Sequence, residues 1–439
     1  MTHQSPLARR HLRRNWFAFF GDYVFFGLGL TFASMTTTLP AFAATLTDNK
    51  VLIGAVSAVW TGGWLLPQVL AANYLSNKER KYPLMLKGMA IGRPIFPLFV
   101  VWLLLGGAQF PALTLILFLG MLGYFAATDA FVALTWFDLL GKTMSAQTRG
   151  KMIGIGQAVT GLTAIGAGAW IQWVLSPQGP GYPLNYIYIL GLASLSFGLS
   201  ALANVFIVEP PEAVSETRPT LRDYLPQLVQ LWQGDGAFRR VTITRLLAGL
   251  GGLATTFYVV YATDSLHLPQ SAIGWFATAA TLGGASAGLL LGGAADRWGS
   301  HRVIQITCWV EFAIPIFALL CASGIFGASL PLVYPALYFL LGVFESSIML
   351  GFLNFVLEIA PPSQRPTYMG LTNTLAGVMV LIPLVGGFIL ERTSYPVLFV
   401  LAAIGTLAGA TLALTLPNPR PTAETTPLPD SHLAAPQAD

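Results

Sequence analysis

Gly292-Gly293-Ala294-Ala295-Asp296-Arg297-Trp298-Gly299-Ser300-His301-Arg302 separates two long apolar runs, 271–295 and 303–325. Upstream of it, Gly284, Gly288 and Gly292 lie four residues apart, which bares one helix face to close approach by a neighbouring backbone. Asp296 continues that face. An acid there can reach a helix N-terminus or a nearby Arg, in a contact that forms in one conformation and breaks in another. The stretch therefore reads as a tight polar turn between two membrane-spanning helices.

Working outward, the same alternation repeats. Apolar segments fall at about 16–44, 51–75, 83–106, 111–140, 151–175 and 184–208, and again at about 239–262, 271–295, 303–325, 330–357, 367–390 and 396–416. Each is long enough for the roughly 20 residues that a spanning helix needs. Composition agrees: 54% of the 439 residues are hydrophobic, mean hydropathy is +0.65, and only 10% are charged. A soluble domain carries roughly a quarter charged residues. The expectation is an all-α membrane protein of twelve transmembrane helices in two pseudo-symmetric six-helix bundles, residues 1–208 and 239–416. Residues 209–238 form a cytoplasmic loop, with a surface helix begun at Thr220, and the proline-rich 417–439 a disordered tail. The start of the chain imitates a secretory signal, but its apolar run is too long and contains Asp22.

Basic residues set the orientation. Eighteen lie at segment ends that share a side with the N-terminus, against Lys50 and Arg392 on the other. The positive-inside rule then places both termini in the cytoplasm of a multi-pass cell membrane protein. Internal matches support duplication. Arg149, Gly154, Gln157 and Gly161 recur as Arg365, Gly370, Asn373 and Gly377 at an offset of 216, and Asp129 recurs as Glu345. Duplicated halves are the arrangement with which secondary transporters build a midplane site.

With this plan in hand, the quoted loop resembles the cytoplasmic signature loop of the major facilitator superfamily, in its glycine pair, its Asp-Arg pair and its position after the second span of a half. Pro361-Pro362-Ser363-Gln364-Arg365 resembles that family's turn before span eleven. The first half departs from the pattern, since 73–81 keeps basic residues and lacks the Asp-Arg pair. The resemblance implies two bundles that alternately open a central cavity, with spans one, four, seven and ten lining it. It also implies a cytoplasmic gate layer of Asp296, Arg297, Arg302, Asp138, Arg149, Glu358 and Arg365, with Asp138 facing Arg149 and Glu358 facing Arg365. The proline signature that drug antiporters carry in span five is absent, which weighs against export.

Ionisable groups deep in the spans point to function. Arg93, Asp129, Glu311 and Glu345 sit ten or more residues from the nearest cytoplasmic end, about 15 Å into the bilayer. Each costs about 2.5–3.5 kcal/mol on insertion scales, so each requires a partner, a wet cavity or neutralisation. One Arg cannot neutralise three acids. Burial disfavours the charged form of an unpaired carboxyl, and a group that holds its proton until its exposure changes can carry one across. Glu345 and Asp129, on the repeat-related spans ten and four, are the proton-coupling candidates. Arg93 is a counter-ion to Asp129 or a contact for an anionic substrate, while Arg93 and Glu311 are peripheral by position. Asp22 and Arg245 suit snorkelling or a gate contact.

Gln157, Asn373, Gln68, Asn354, Tyr124, Trp60 and Tyr258 are candidates to line the cavity, the first two being repeat-matched amides. Intramembrane aromatics more often pack or face lipid. Cys308 and Cys321 stand roughly 20 Å apart on one helix, too far to bridge, and five scattered His make no metal cluster. Gly154-Ile155-Gly156 has no preceding strand, so no nucleotide or other cofactor is expected, and no basic stripe suggests nucleic acid. The chain reads as a secondary transporter of a small solute, coupled to protons, with lipid around it and no enzymatic activity. A uniporter, or a receptor or scaffold of the same fold, is the alternative.

Overall fold

The computed structural model describes residues 6–76, 78–210, 231–361 and 364–419. Among these residues there is no strand, and ten stretches are long and apolar enough to cross a membrane. The helices are α1 Pro6–Phe32, α2 Thr38–Leu46, α3 Lys50–Ser76, α4 Tyr82–Gly92, α5 Ile95–Leu104, α6 Pro111–Thr143, α7 Ala146–Val174 and α8 Leu184–Asn204. After 211–230 come α9 Gly236–Ala248, α10 Gly252–Thr255, α11 Phe257–Asp264, α12 Ala272–Trp298, α13 Ser300–Ala322, α14 Leu330–Val333, α15 Pro335–Ile348, α16 Asn354–Ile359, α17 Arg365–Ala376, α18 Ile382–Leu390 and α19 Tyr395–Ala413. Most of the expected surface helix, from Thr220 to 230, and the tail from 420 lie outside the described residues. Leu332, Leu105, Leu290, Leu162 and Ile325 are each at least 70% exposed, an apolar surface that lipid accepts and water would not.

Packing repeats between the halves. α1 lies against α8, α3 against α6, and α4–α5 against α6 and α8. In the second half α9 lies against α19, α12 against α15, and α13 against α15 and α19. The halves meet through α3 on α18 and α7 on α12. Small residues permit those contacts. A Cβ on Gly54 would overlap the Pro383 backbone, one on Gly387 the backbone of Lys50 and Val51, and one on Gly168 the Gly274 carbonyl and the Thr278 side chain. Among the small residues of α7, the row of Gly156, Thr160, Ala164 and Gly168 makes the contacts, whereas Gly150 and Gly154 face open space. In α12 Gly283, one residue off the expected row, comes up against the Phe339 backbone; within the row a Cβ on Gly288 would overlap the Gln157 side chain and one on Gly284 would touch the Gly342 carbonyl, whereas one on Gly292 would meet nothing.

The opening loop turns at Gly299, whose φ of 85° and ψ of 158° exclude a residue with a Cβ. The glycine of the motif is thus a geometric requirement of the link between α12 and α13.

Several of the expected spans, numbered as the hydropathy pattern orders them, are interrupted. The first breaks at 33–37, the third at Arg93-Pro94, and the seventh passes through a 3-10 turn at Gly249–Gly251. The tenth widens to a π-helix at Met349–Leu353, and the eleventh tightens to 3-10 at Gly377–Leu381. Regular helix, which the hydropathy pattern predicts throughout, satisfies every backbone group internally. A departure at membrane depth requires a cavity or a protein neighbour to take over.

Candidate functional site

Four of those departures share a neighbour. A cavity of about 850 Å³ lies between the halves, lined by residues of both. The break in the first span contributes Ala33, Ser34, Met35 and Thr36, the third-span break Arg93, the short helix α10 after the seventh span's 3-10 turn Gly252 and Thr255 with Thr256 at the break that follows it, and the 3-10 turn of the eleventh span Met379. The π-helix begins four residues after Glu345, another lining residue.

In the first half, Arg93 Nη2 donates to Asp129 Oδ1 at 2.9 Å, and the two side chains are 8% and 12% exposed. The guanidinium carbon sits 4.8 Å from the ring centroid of Phe26, 4.9 Å from Phe125 and 5.5 Å from Phe197. Trp64 also donates to Asp129. The expectation that Arg93 is peripheral is corrected: the helix break beside Pro94 turns its side chain towards the cavity. Asp22 is likewise no snorkelling group. It lines the cavity, buried, and accepts from Ser200 Oγ and Asn204 Nδ2, both at 2.5 Å.

In the second half Glu345 lines the cavity and is exposed to it, although it sits mid-span. No ion pair or hydrogen bond engages its carboxylate among the described residues. Glu311 is the opposite case. It is 1% exposed, and its carboxyl rests against Gly251, whose missing side chain makes the room. Its Oε2 has no partner among the described residues.

Of the other candidates, Gln157 and Trp60 line the cavity, Gln157 bonded to Tyr23 and Trp60 stacked on Phe125 at 5.5 Å. Gln68, Asn354, Tyr124 and Tyr258 lie away from it. Asn354 donates to the Leu350 carbonyl of its own π-turn at 2.9 Å, Tyr124 is 42% exposed on the outside, and Tyr258 is sealed in the apolar core. Helical phase explains these misses, because a polar side chain can spend itself on its own helix or face outward. The side chains of Asn373, Asp296 and Arg365 lie outside the described residues. Trp64 and Ser346 were missed. Each was signalled by a neighbour, Trp64 four residues after Trp60 and Ser346 directly after Glu345.

In the charge layer near the termini Asp138 pairs differently from the expectation, while the expected pair of Glu358 with Arg365 involves a side chain outside the described residues. Asp138 takes Lys81 at 2.9 Å and Lys142 at 2.8 Å rather than Arg149, with Glu209 accepting from the backbone N–H of Lys81 and Tyr82. Arg149 lies beside Gly141. Glu358 accepts from Ser300 Oγ at 2.5 Å, Arg302 donates to Gln305, and Arg297 is exposed. All these links stay within one half.

Polar links that cross between the halves sit at the far end or near the middle. Lys50 Nζ lies 3.6 Å from Asp264, the Lys50 N–H donates to Glu391 Oε1, Ser57 and Thr256 hydroxyls meet at 2.7 Å, and Thr278 donates to the Ala164 carbonyl. Among the described residues no group of three or more His, Cys, Asp or Glu could hold a metal.

Residues 241–436 match the family model described as Major Facilitator Superfamily. Two solved structures share the fold over almost their whole lengths. One is a mutant form of the nucleoside transporter NupG, with a TM-score of 0.61 and 14% identity over 92% of this chain and 99% of that one. The other is nucleoside transporter NupG itself, with a TM-score of 0.59 and 16% identity over 92% and 98%. No curated protein matches the sequence. The resemblance drawn from the 292–302 loop to the major facilitator superfamily holds, and it specifies no substrate.

Proposed function

We propose that this chain, of major facilitator superfamily type, is a twelve-span secondary transporter of a small solute, working by alternating access and coupled to protons. Residues 1–208 and 239–416 are the two six-helix bundles, with both termini and the 209–238 loop in the cytoplasm. One observation carries the reading: the breaks in spans one, three, seven and eleven each place residues on a single inter-half cavity. Broken helices around a shared midplane cavity are the means by which secondary transporters bind cargo. Among the described residues the polar links between halves gather away from the termini, which supports reading this conformer as the one open to the cytoplasm. Closing that side while parting Lys50 from Asp264 would complete the cycle.

Glu345 is the leading proton carrier, since it alone among the cavity acids is exposed without a partner. Asp129 carries a proton only if its bond to Arg93 parts during the cycle. The nucleoside named for the two neighbours is their cargo, and at 14% and 16% identity only the fold carries over. The test is solute uptake into proteoliposomes under an imposed pH gradient. Wild type should respond to the gradient and Glu345→Gln should not. A gradient response that survives in the variant removes Glu345 from the coupling role, and a solute panel that never moves removes transport.

A further inference from the structure

The cavity's charge balance restricts what it holds. Arg93 is its only cation among the described lining residues. That charge is already engaged by Asp129 at 2.9 Å, and three aromatic rings enclose the guanidinium. Its Nε has no partner among the described residues but is buried out of reach of the cavity, and its charge is offset by Asp129, so the guanidinium is poorly placed for the bidentate grip on a carboxylate or phosphate that makes Arg an anion receptor. Asp22 is buried and satisfied by Ser200 and Asn204. Glu345 remains, exposed into the cavity with no partner among the described residues.

The walls add a second, independent feature. Trp60, Trp64 and Trp136 all line the same space, and the Trp136 indole N–H is buried with no partner among the described residues. Aromatic faces attract cations through the ring quadrupole, most strongly when water is excluded. The volume suits a small organic molecule, whose sites run to about 300–1,000 Å³.

Building on the transport reading, we infer that the cargo is an organic cation, a solute with an ammonium-type head and an apolar body. The head is held by Glu345, and the body lies among the tryptophans. An anion would meet an unopposed carboxylate and no free base. A neutral solute would leave that carboxylate uncompensated.

Calorimetric titration of the purified full chain in detergent tests this with three soluble probes of similar size: phenyltrimethylammonium, neutral N-methylbenzamide and anionic benzenesulfonate. The expected result is binding of the cation, with the other two weaker by about tenfold or more, a gap of about 1.4 kcal/mol. Glu345→Gln should weaken the cation by a similar factor, with Glu345→Asp between the two. Failure of the cation to bind, equal binding of N-methylbenzamide, preference for benzenesulfonate, or cation affinity unchanged in a folded Glu345→Gln protein each overturns the inference. If that variant does not fold, the ranking of the three probes on wild type decides. Cation binding without flux of any solute in proteoliposomes would sink the transport reading and leave the site intact. Uridine flux that phenyltrimethylammonium does not inhibit would do the reverse.

Discussion

Arg93 and Asp129 show how a costly residue is accommodated. A guanidinium in the bilayer needs a counter-charge, and this one has a carboxylate at 2.9 Å and a jacket of Phe26, Phe125 and Phe197. Removing one partner of a buried pair strands the other and costs about 3–5 kcal/mol, while replacing both can be close to neutral. Arg93→Met should therefore lower the thermal unfolding temperature in detergent substantially, and Arg93→Met with Asp129→Asn should recover most of the loss. An additive double variant would mean that the two side chains act separately. The need for a partner was legible in the sequence, because depth and charge are one-dimensional properties. The separation of Glu345, open to the cavity, from Glu311, sealed away from it, was expected only through the family resemblance, which puts span ten and not span nine on the cavity; depth and charge alone do not distinguish two acids that both sit mid-span.

At the level of helices, the long spans were legible from hydropathy and their interruptions were not. Met349–Leu353 carries an unbroken apolar signal and 33–37 only a brief polar dip, yet both depart from α-helix, 33–37 at the cavity wall and Met349–Leu353 one turn beyond the cavity residue Glu345. The small residues were visible as rows, but which row packs depends on helix rotation, so Gly168 touches a neighbour and Gly150 does not. Because a Cβ at Gly168 would collide with Gly274 and Thr278, Gly168→Val should pry α7 from α12 at the far end and favour the oppositely open conformer. A cysteine at Thr61, a cavity residue, reports this in cells, since Cys308 and Cys321 are buried. Labelling of Thr61→Cys by an impermeant maleimide added outside should be faster in the Gly168→Val background. Equal rates would show that the far-end seal does not depend on this contact.

For the whole molecule, the far-end closure is a sum of close backbone packing and a few exposed polar links. Lys50 and Asp264 are 22% and 50% exposed, so their ion pair contributes about 0–1 kcal/mol. Asp264→Ala should thus raise outside labelling of Thr61→Cys by no more than about fivefold, and the swapped pair Lys50→Asp with Asp264→Lys should return it towards the parent rate. A larger jump would mean that Asp264 holds the halves together through more than this pair. On the proposed alternating-access reading such a small term suits a latch that opens in every cycle, whereas the glycine contacts at Gly54, Gly168 and Gly387 set how closely the halves can approach.

The one-dimensional pattern of apolar runs, basic flanks and internal repeat determined that this chain is a many-span membrane protein with related halves, because lipid solvation acts on each segment independently of its neighbours. The 292–302 loop added a resemblance to the major facilitator superfamily, whose family model matches residues 241–436. Which acids face water, which aromatic residues form the wall and which glycines touch were decided only by the tertiary structure. These depend on the rotation of each helix about its axis and on where its backbone breaks, and neighbouring helices, rather than the bilayer, set both.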